Sequence, residues 1–290
     1  MTAIFVREVR SAFSGMMGWL LTAFLVAASG LYFMANNLGF GLTDFGYYTL
    51  YQTSFVLLVY VPVLAMRSLA GERHARTDQL LLTSPVPAWG IVLGKYLVMC
   101  AVFALPCLAD VAMILALRLL GSTGTALASN FASLLGYYLL GCATIALCEW
   151  ISGLTENQIV AAVLGFAALL LAFLMPSLRS LFSAGSAAAL VIFTLLAAAA
   201  SVLAGLRSRS LTLGCVLFAV LAAGISALFL FRSGWLTGAF SAVLEALCLF
   251  APFERFVNGS FSVQAVVYYL SAAGLFLFFA AQGLEKRRWV

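Results

Sequence analysis

The sequence predicts an all-α protein that crosses a membrane with about eight helices. Of its 290 residues, 64% are hydrophobic and only 9% are charged, whereas soluble domains carry roughly 25% charged residues. The apolar residues form runs of about 20, the length that an α-helix needs to cross a bilayer. Because the charges cluster between these runs, we expect one transmembrane domain over residues 1–290.

Each apolar run defines one predicted span. The eight spans are Met16–Asn36, Tyr47–Met66, Ile91–Leu117, Phe131–Glu149, Ile159–Met175, Ala187–Leu206, Leu211–Phe231 and Val263–Gln282. Pro62 and Pro106 predict bends in the second and third spans, and Pro176 ends the fifth. The first run is longer than the apolar core of a signal peptide, which favours an uncleaved first helix.

The basic residues predict the orientation of these spans. With the N-terminus inside, eleven of the fifteen basic residues lie on the inner side and four lie outside. Basic residues concentrate in cytoplasmic loops, so we expect both termini to be cytoplasmic. The basic excess therefore indicates contact with anionic lipid of the bilayer and not with nucleic acid. The six cysteines form no C-x-x-C pair, which argues against a metal site.

The most informative polar stretch is Arg67–Pro87, which lies between the second and third spans. Charged residues come first, leucines follow, and Pro85 and Pro87 close the segment. This order predicts a short helix along the membrane surface that contacts a soluble partner. The candidate contact residues are Glu72, Arg73, Arg76, Asp78, Leu80, Leu81 and Leu82. The alternative is an ordinary basic cytoplasmic loop.

This stretch resembles the first cytoplasmic loop of ABC-2 type transport permeases. The similarity rests on Glu72-Arg73, on the run from Leu80 to Pro85, and on Gly94-Lys95 at the start of the next span. In that family the loop, here residues 67–90, forms a coupling helix that docks on a separate ATPase subunit. The resemblance therefore implies the type V exporter-like fold and an ATPase-coupling role for the candidate residues.

Both ends of the chain are similar to gliding-motility-type (Gld-type) ABC-2 permeases. The matching segments are Ile4–Glu8, Leu284–Trp289 and Pro252–Phe256 with Asn258-Gly259. This resemblance implies a permease of the bacterial cytoplasmic membrane that pairs with a second permease copy or paralogue, with two ATPase subunits, and with an auxiliary membrane protein that carries an extracytoplasmic domain. Residues Ser177–Arg232 depart from the pattern, because two spans are predicted there and the family commonly has six in total.

The sequence contains no recognisable catalytic motif. Neither G-x-S-x-G nor H-E-x-x-H occurs, and Gly90–Lys95 departs from a phosphate loop in spacing and context. We therefore expect a non-catalytic export permease that binds no cofactor itself, with ATP and Mg²⁺ held by the partner ATPase. A membrane-embedded enzyme would need clustered ionisable residues, which the sequence lacks.

Two acidic residues are candidates for the pathway or gate. Asp110 lies within the third span, where an ionisable group is by default a functional candidate. The alternative function is a secondary transporter with an ion-coupled site near Asp110, and the alternative location of Asp110 is near the outer interface, where it would have no such role. Glu245 is the only charge of Ala239–Ala251, which we expect to form a re-entrant or surface helix ended by Pro252 within the extracytoplasmic residues 232–262. That helix is either a gate or an interfacial anchor.

Overall fold

The computed structural model describes residues 2–74, 76, 87–120, 127–182 and 248–288. These residues are almost entirely helical and include no strand, which confirms the all-α fold class. The chain divides into two compact units, Met1–Leu171 with Leu249–Val290, and Ala172–Cys248. Of the second unit, the described residues are the helical segment 172–182 and Cys248.

The described helices are numbered in chain order. They are α1 (Thr2–Ser14), α2 (Met16–Tyr32), α3 (Tyr51–Thr53), α4 (Leu57–Ala65), α5 (Leu69–His74), α6 (Ala88–Leu119), α7 (Leu127–Leu154), α8 (Gln158–Phe182), α9 (Ala251–Val257) and α10 (Val263–Arg288). Two π-helical segments, Phe33–Gly39 and Gly46–Leu50, lie between α2 and α3.

Five helical segments of the described chain are long and apolar enough to cross a membrane. They are Met16–Gly39, Ala88–Leu119, Leu127–Leu154, Gln158–Ser177 and Val263–Arg287. A sixth span forms if the bent pair Gly46–Thr53 and Leu57–His74 is counted as one. These six correspond to six of the eight predicted spans. The other two, Ala187–Leu206 and Leu211–Phe231, lie outside the described residues.

The bend in the second span is displaced from the proline that predicted it. The two halves meet at 44° across the break between Thr53 and Leu57, whereas Pro62 lies inside α4. At the break, Val56 donates its backbone N–H to the carbonyl of Thr53 at 2.9 Å, and Leu58 donates to Phe55 at 3.2 Å. These shorter-range bonds tighten the turn and redirect the helix. Helix α6 continues through Pro106.

Both ends of the described chain lie at the same end of the bundle as the polar stretch. We call this the loop end, where α5 and the start of α6 meet, and the opposite end the distal end. Helix α1 packs against α6. Near the C-terminus, Leu284 of α10 is buried with Ala88 and Ile91 at the start of α6. The two terminal helices therefore meet the polar stretch on one side of the bundle.

Helix α7 is the centre of the unit and packs against α4, α6, α9 and α10. Two of its glycines permit close approach of aromatic rings. A Cβ atom at Gly136 would lie 2.6 Å from Cγ of Phe256 in α9, and one at Gly141 would overlap the ring of Phe103 in α6. Small residues in membrane helices allow such close packing, so these positions fix where α6 and α9 meet α7.

Side-chain amides join the helices at the distal end. The hydroxyl of Thr49 donates to Oδ1 of Asn37 at 2.7 Å, and the backbone N–H of Phe45 donates to Oδ1 of Asn130 at 3.1 Å. Asn37 and Asn130 are each 2% exposed. The bonds supply partners for buried polar groups within and between the two π-helical segments.

Pro252 begins a helix where the sequence predicted that it would end one. It occupies the first turn of α9, a position that tolerates proline because the first N–H groups of a helix have no intrahelical partner. Phe253 and Phe256 of α9 are buried, and Ser133 of α7 donates its hydroxyl to the carbonyl of Phe256 at 2.9 Å. Glu245 and residues 239–247 of the predicted surface helix lie outside the described residues.

Candidate functional site

The candidate site is a cluster of charged side chains at the loop end. The chain leaves α4 in a tight turn, in which Ser68 donates its backbone N–H to the carbonyl of Ala65 at 3.0 Å. The short helix α5 follows at once and carries Glu72 and Arg73. The site therefore lies between α5 and the start of α6.

Lys95 of α6 is the centre of this cluster. Its side chain is 3% exposed, and its Nζ lies 2.8 Å from Oε1 of Glu72 and 3.8 Å from Oε1 of Glu8 in α1. It also donates to the carbonyl of Ser68 at 3.3 Å. A buried ammonium group requires such partners, because its desolvation is otherwise costly. Lys95 thus connects three segments, α1, α5 and α6.

Arg7 completes the cluster from the exposed side of α1. Its Nη2 lies 2.6 Å from Oε1 of Glu8 and 3.5 Å from Oε1 of Glu72. The hydrogen bond to Glu8 raises the pKa of Arg7 above its ordinary value. The guanidinium is therefore cationic at every working pH, and both glutamates have two cationic partners each.

A second set of contacts holds α5 against the end of α7. Arg73 is 8% exposed, and its Nη1 donates to the carbonyl of Thr155 at 3.3 Å. The backbone N–H of Ala70 donates to the hydroxyl of Ser152 at 3.0 Å. A Cβ atom at Gly71 would lie 3.3 Å from Nε2 of Gln158. Helix α5 therefore packs against the turn between α7 and α8.

The candidate contact residues thus fall into two groups. Glu72 and Arg73 bind other parts of this chain, whereas Arg76 is exposed. Arg76 adopts a φ of 54°, a left-handed conformation that ends the helical path of α5. Asp78 and Leu80, Leu81 and Leu82 lie outside the described residues.

Two acidic residues within spans, Asp110 and Glu149, are deeply buried. Asp110 of α6 is 2% exposed beside Ser29 of α2, and its Oδ1 has no hydrogen-bond partner in the described part of the chain. Glu149 of α7 is fully buried, and neither of its carboxylate oxygens has a hydrogen-bond partner there. The structure does not bring Asp110 into the charged cluster.

Sequence reasoning missed the importance of Lys95 and Glu8. Lys95 entered only as part of a similarity and of a rejected phosphate loop, and Glu8 only as part of an N-terminal motif. The available signal was Lys95 itself, a basic residue one turn inside an apolar span, which requires an acidic partner. Its location within helix α6 agrees with the rejection of the phosphate loop.

The comparisons with known proteins address the same part of the chain. A model of the ABC-2 family transporter proteins matches residues 2–181, which contain α1 and the whole charged cluster. The chain belongs to the ABC-2 transporter family. The comparison with curated proteins gave no match.

Membership of this family establishes the general role of the chain. An ABC-2 permease is the membrane subunit of an ABC transporter, and its family implies an ABC ATPase as partner. The spans and the family together make this permease a multi-pass membrane protein and a component of membrane transport. The gliding-motility-type subgroup stays a prediction.

Proposed function

We propose that this ABC-2 permease exports its substrate with energy from ATP hydrolysed by a separate ATPase subunit docked at the loop end. The observation that carries the proposal is the bridge that Lys95 forms between α5 and α6. The segment next to the predicted docking residues is thereby tied to the transmembrane helices.

The contacts of α5 provide a physical route for coupling. Glu72 binds α6 through Lys95, and Arg73 binds the end of α7 through Thr155. Packed helices tend to move as rigid bodies between discrete arrangements and do not deform continuously. A displacement of α5 by the ATPase would therefore displace α6 and α7 together, including the packing of Phe103 on Gly141.

The predicted contact residues then have different roles. We propose that Arg76, Asp78 and the leucines Leu80–Leu82 meet the ATPase, while Glu72 and Arg73 hold α5 on the bundle. In this proposal the loop end and both termini face the cytoplasm of a bacterial cell, in agreement with the basic excess of the sequence. ATP and Mg²⁺ bind the ATPase subunit, two permeases form the transport unit, and an auxiliary membrane protein joins it.

Co-purification tests the docking directly. The tagged chain is purified from its native membrane, the bound subunits are identified, and ATP hydrolysis of the complex is measured in nanodiscs. Leu81→Asp places an unpaired charge in the proposed contact, which costs a few kcal/mol. We therefore expect at least a tenfold loss of bound ATPase, since about 1.4 kcal/mol corresponds to tenfold in affinity.

The matched control is Leu120→Asp, the same change at a residue of the distal end that is 68% exposed. It should leave both the bound ATPase and the hydrolysis rate unchanged. Unaltered binding in Leu81→Asp, or an equal loss in both variants, would show that the ATPase does not dock at Leu81.

A further inference from the structure

A cleft of about 180 Å³ opens at the loop end between α1, α2, α4 and α6. It lies beside the charged cluster, and Lys95 and Glu8 contribute to its wall. The coupling proposal gives this cleft no role. Its lining changes in character from the mouth to the floor.

The mouth is polar and the floor is apolar. The lining residues nearest the loop end, which we call the mouth, are Ser11, Arg67 and Ser68. The buried Leu21 and Val102 lie farther along α2 and α6, and we call their level the floor. Val102 follows Lys95 by seven residues on α6, which places it about 10 Å deeper along the helix at 1.5 Å per residue. This depth is about a third of the roughly 30 Å hydrocarbon core of a bilayer. With the polar mouth at the level of the headgroups, the floor would lie at the depth of the acyl chains.

The charges at the mouth leave a net positive charge. Among the described residues, Arg7 and Lys95 pair with Glu8 and Glu72. Arg67 is exposed at the mouth of the cleft, and no acidic side chain of the described chain lies within ion-pair distance of it. An arginine with free guanidinium donors binds phosphate oxygens in a bidentate geometry. The mouth therefore favours an anionic group.

We propose that this cleft binds an anionic phospholipid, with its phosphate at Arg67 and one acyl chain along the floor between α2 and α6. The polar mouth excludes a purely apolar occupant, and the apolar floor excludes a free inorganic anion as the preferred ligand. The proposal is independent of the proposed transport function, because it requires neither ATP nor the ATPase. It assigns to the loop end a lipid-binding site next to α5.

Native mass spectrometry tests this site on the purified full chain. The protein is delipidated and then exposed to equal amounts of phosphatidylglycerol and phosphatidylcholine with identical acyl chains. One arginine near the anionic headgroup should give about a fivefold preference for phosphatidylglycerol. Arg67→Gln should abolish this preference, and Arg67→Lys should keep most of it because the charge remains.

Two further variants separate the cleft from general surface effects. Arg255→Gln removes an exposed arginine at the distal end and should leave the preference unchanged. Leu64→Trp adds a large side chain to the half-buried wall of the cleft and should reduce the retention of both lipids by severalfold, because the acyl chain is displaced.

Several results would overturn the proposal. These are a wild-type chain without preference, an Arg67→Gln variant that keeps the preference, and an equal loss in Arg255→Gln. Displacement of phosphatidylglycerol by equimolar inorganic phosphate would indicate a site for the phosphate alone, and it would contradict the acyl-chain contact. Unchanged lipid retention in Leu64→Trp would do the same.

Discussion

Removing the positive charge of Lys95 tests most directly which contacts hold the loop end together. Lys95→Met keeps an unbranched side chain of similar length in α6 but removes the buried one of the two cations that Glu72 and Glu8 share, so that Arg7 remains. Two opposite charges at about 4 Å attract by about 4 kcal/mol at an effective dielectric constant of 20. Because the substitution also removes the desolvation cost of the buried ammonium group, part of this loss is offset.

The expected loss of stability lies at the lower end of the range for a broken buried pair. Such a break costs about 3–5 kcal/mol when the remaining charge is fully enclosed. The side chains of Glu72 and Glu8 are 17% and 23% exposed, so water solvates them in part. We therefore predict that Lys95→Met lowers the free energy of unfolding by about 3 kcal/mol.

A double-mutant cycle isolates the pair from other effects of the substitution. Glu72→Gln removes the negative partner at 2.8 Å, and the double variant lacks both charges. In the double variant the carboxylate of Glu72 is no longer present to lose its interaction with Lys95. The stability loss of the double variant should therefore be smaller than the sum of the two single losses by about 2 kcal/mol. Unfolding is followed in mixed micelles with increasing denaturing detergent, by circular dichroism and tryptophan fluorescence.

The matched control is Lys286→Met, the same change at an exposed lysine near the end of α10. It should alter the free energy of unfolding by less than about 0.5 kcal/mol, as is usual for surface changes. Equal effects of Lys95→Met and Lys286→Met, or strict additivity in the cycle, would refute the claim that Lys95 ties α5 to α6.

Three other predictions concern packing, orientation and the buried carboxyl group. Gly141→Ala should lower the free energy of unfolding by about 1–3 kcal/mol, because the added Cβ overlaps the ring of Phe103. The control Gly274→Ala has no atom within 4 Å of its added Cβ and should be neutral or stabilising. A larger loss in Gly274→Ala than in Gly141→Ala would contradict the packing. A cytoplasm-dependent reporter fused after Val290 should be active, and activity only of a periplasm-dependent reporter would invert the orientation. Asp110→Asn should change the rate of ATP-driven transport by less than about twofold, which corresponds to less than about 0.4 kcal/mol in the activation barrier. Complete loss of transport with intact ATP hydrolysis would favour an ion-coupled site at Asp110.

The parts of the fold that were predicted from the sequence depend on local composition. An apolar run of about 20 residues specifies a span by itself, so all six spans in the described chain were found. The position of the bend in the second span was predicted at Pro62 and lies instead before Leu57. A proline removes one backbone hydrogen bond of a helix, but the helix can bend at a neighbouring turn instead of at the proline.

The parts that were not predicted depend on pairs far apart in the sequence. Lys95 meets Glu8 across 87 positions, and no local pattern in either segment specifies the other. The sequence predicts that the fourth span ends at Glu149, but α7 continues to Leu154 and Glu149 is buried. The sequence predicts that Pro252 ends a helix, but a proline is compatible with both ends of a helix. Here it lies in the first turn of α9, where Phe253 is buried.

The proposed docking of an ATPase subunit at the loop end can be measured directly by photo-crosslinking in living cells. A photoreactive phenylalanine analogue replaces Leu81 in one variant and Leu120, at the distal end, in the other. Irradiation followed by mass spectrometry should identify an ATPase subunit with a phosphate loop attached at position 81 and none at position 120. Attachment of the ATPase at position 120, or at neither position in cells that produce an active transporter, would contradict the docking of the ATPase at the loop end.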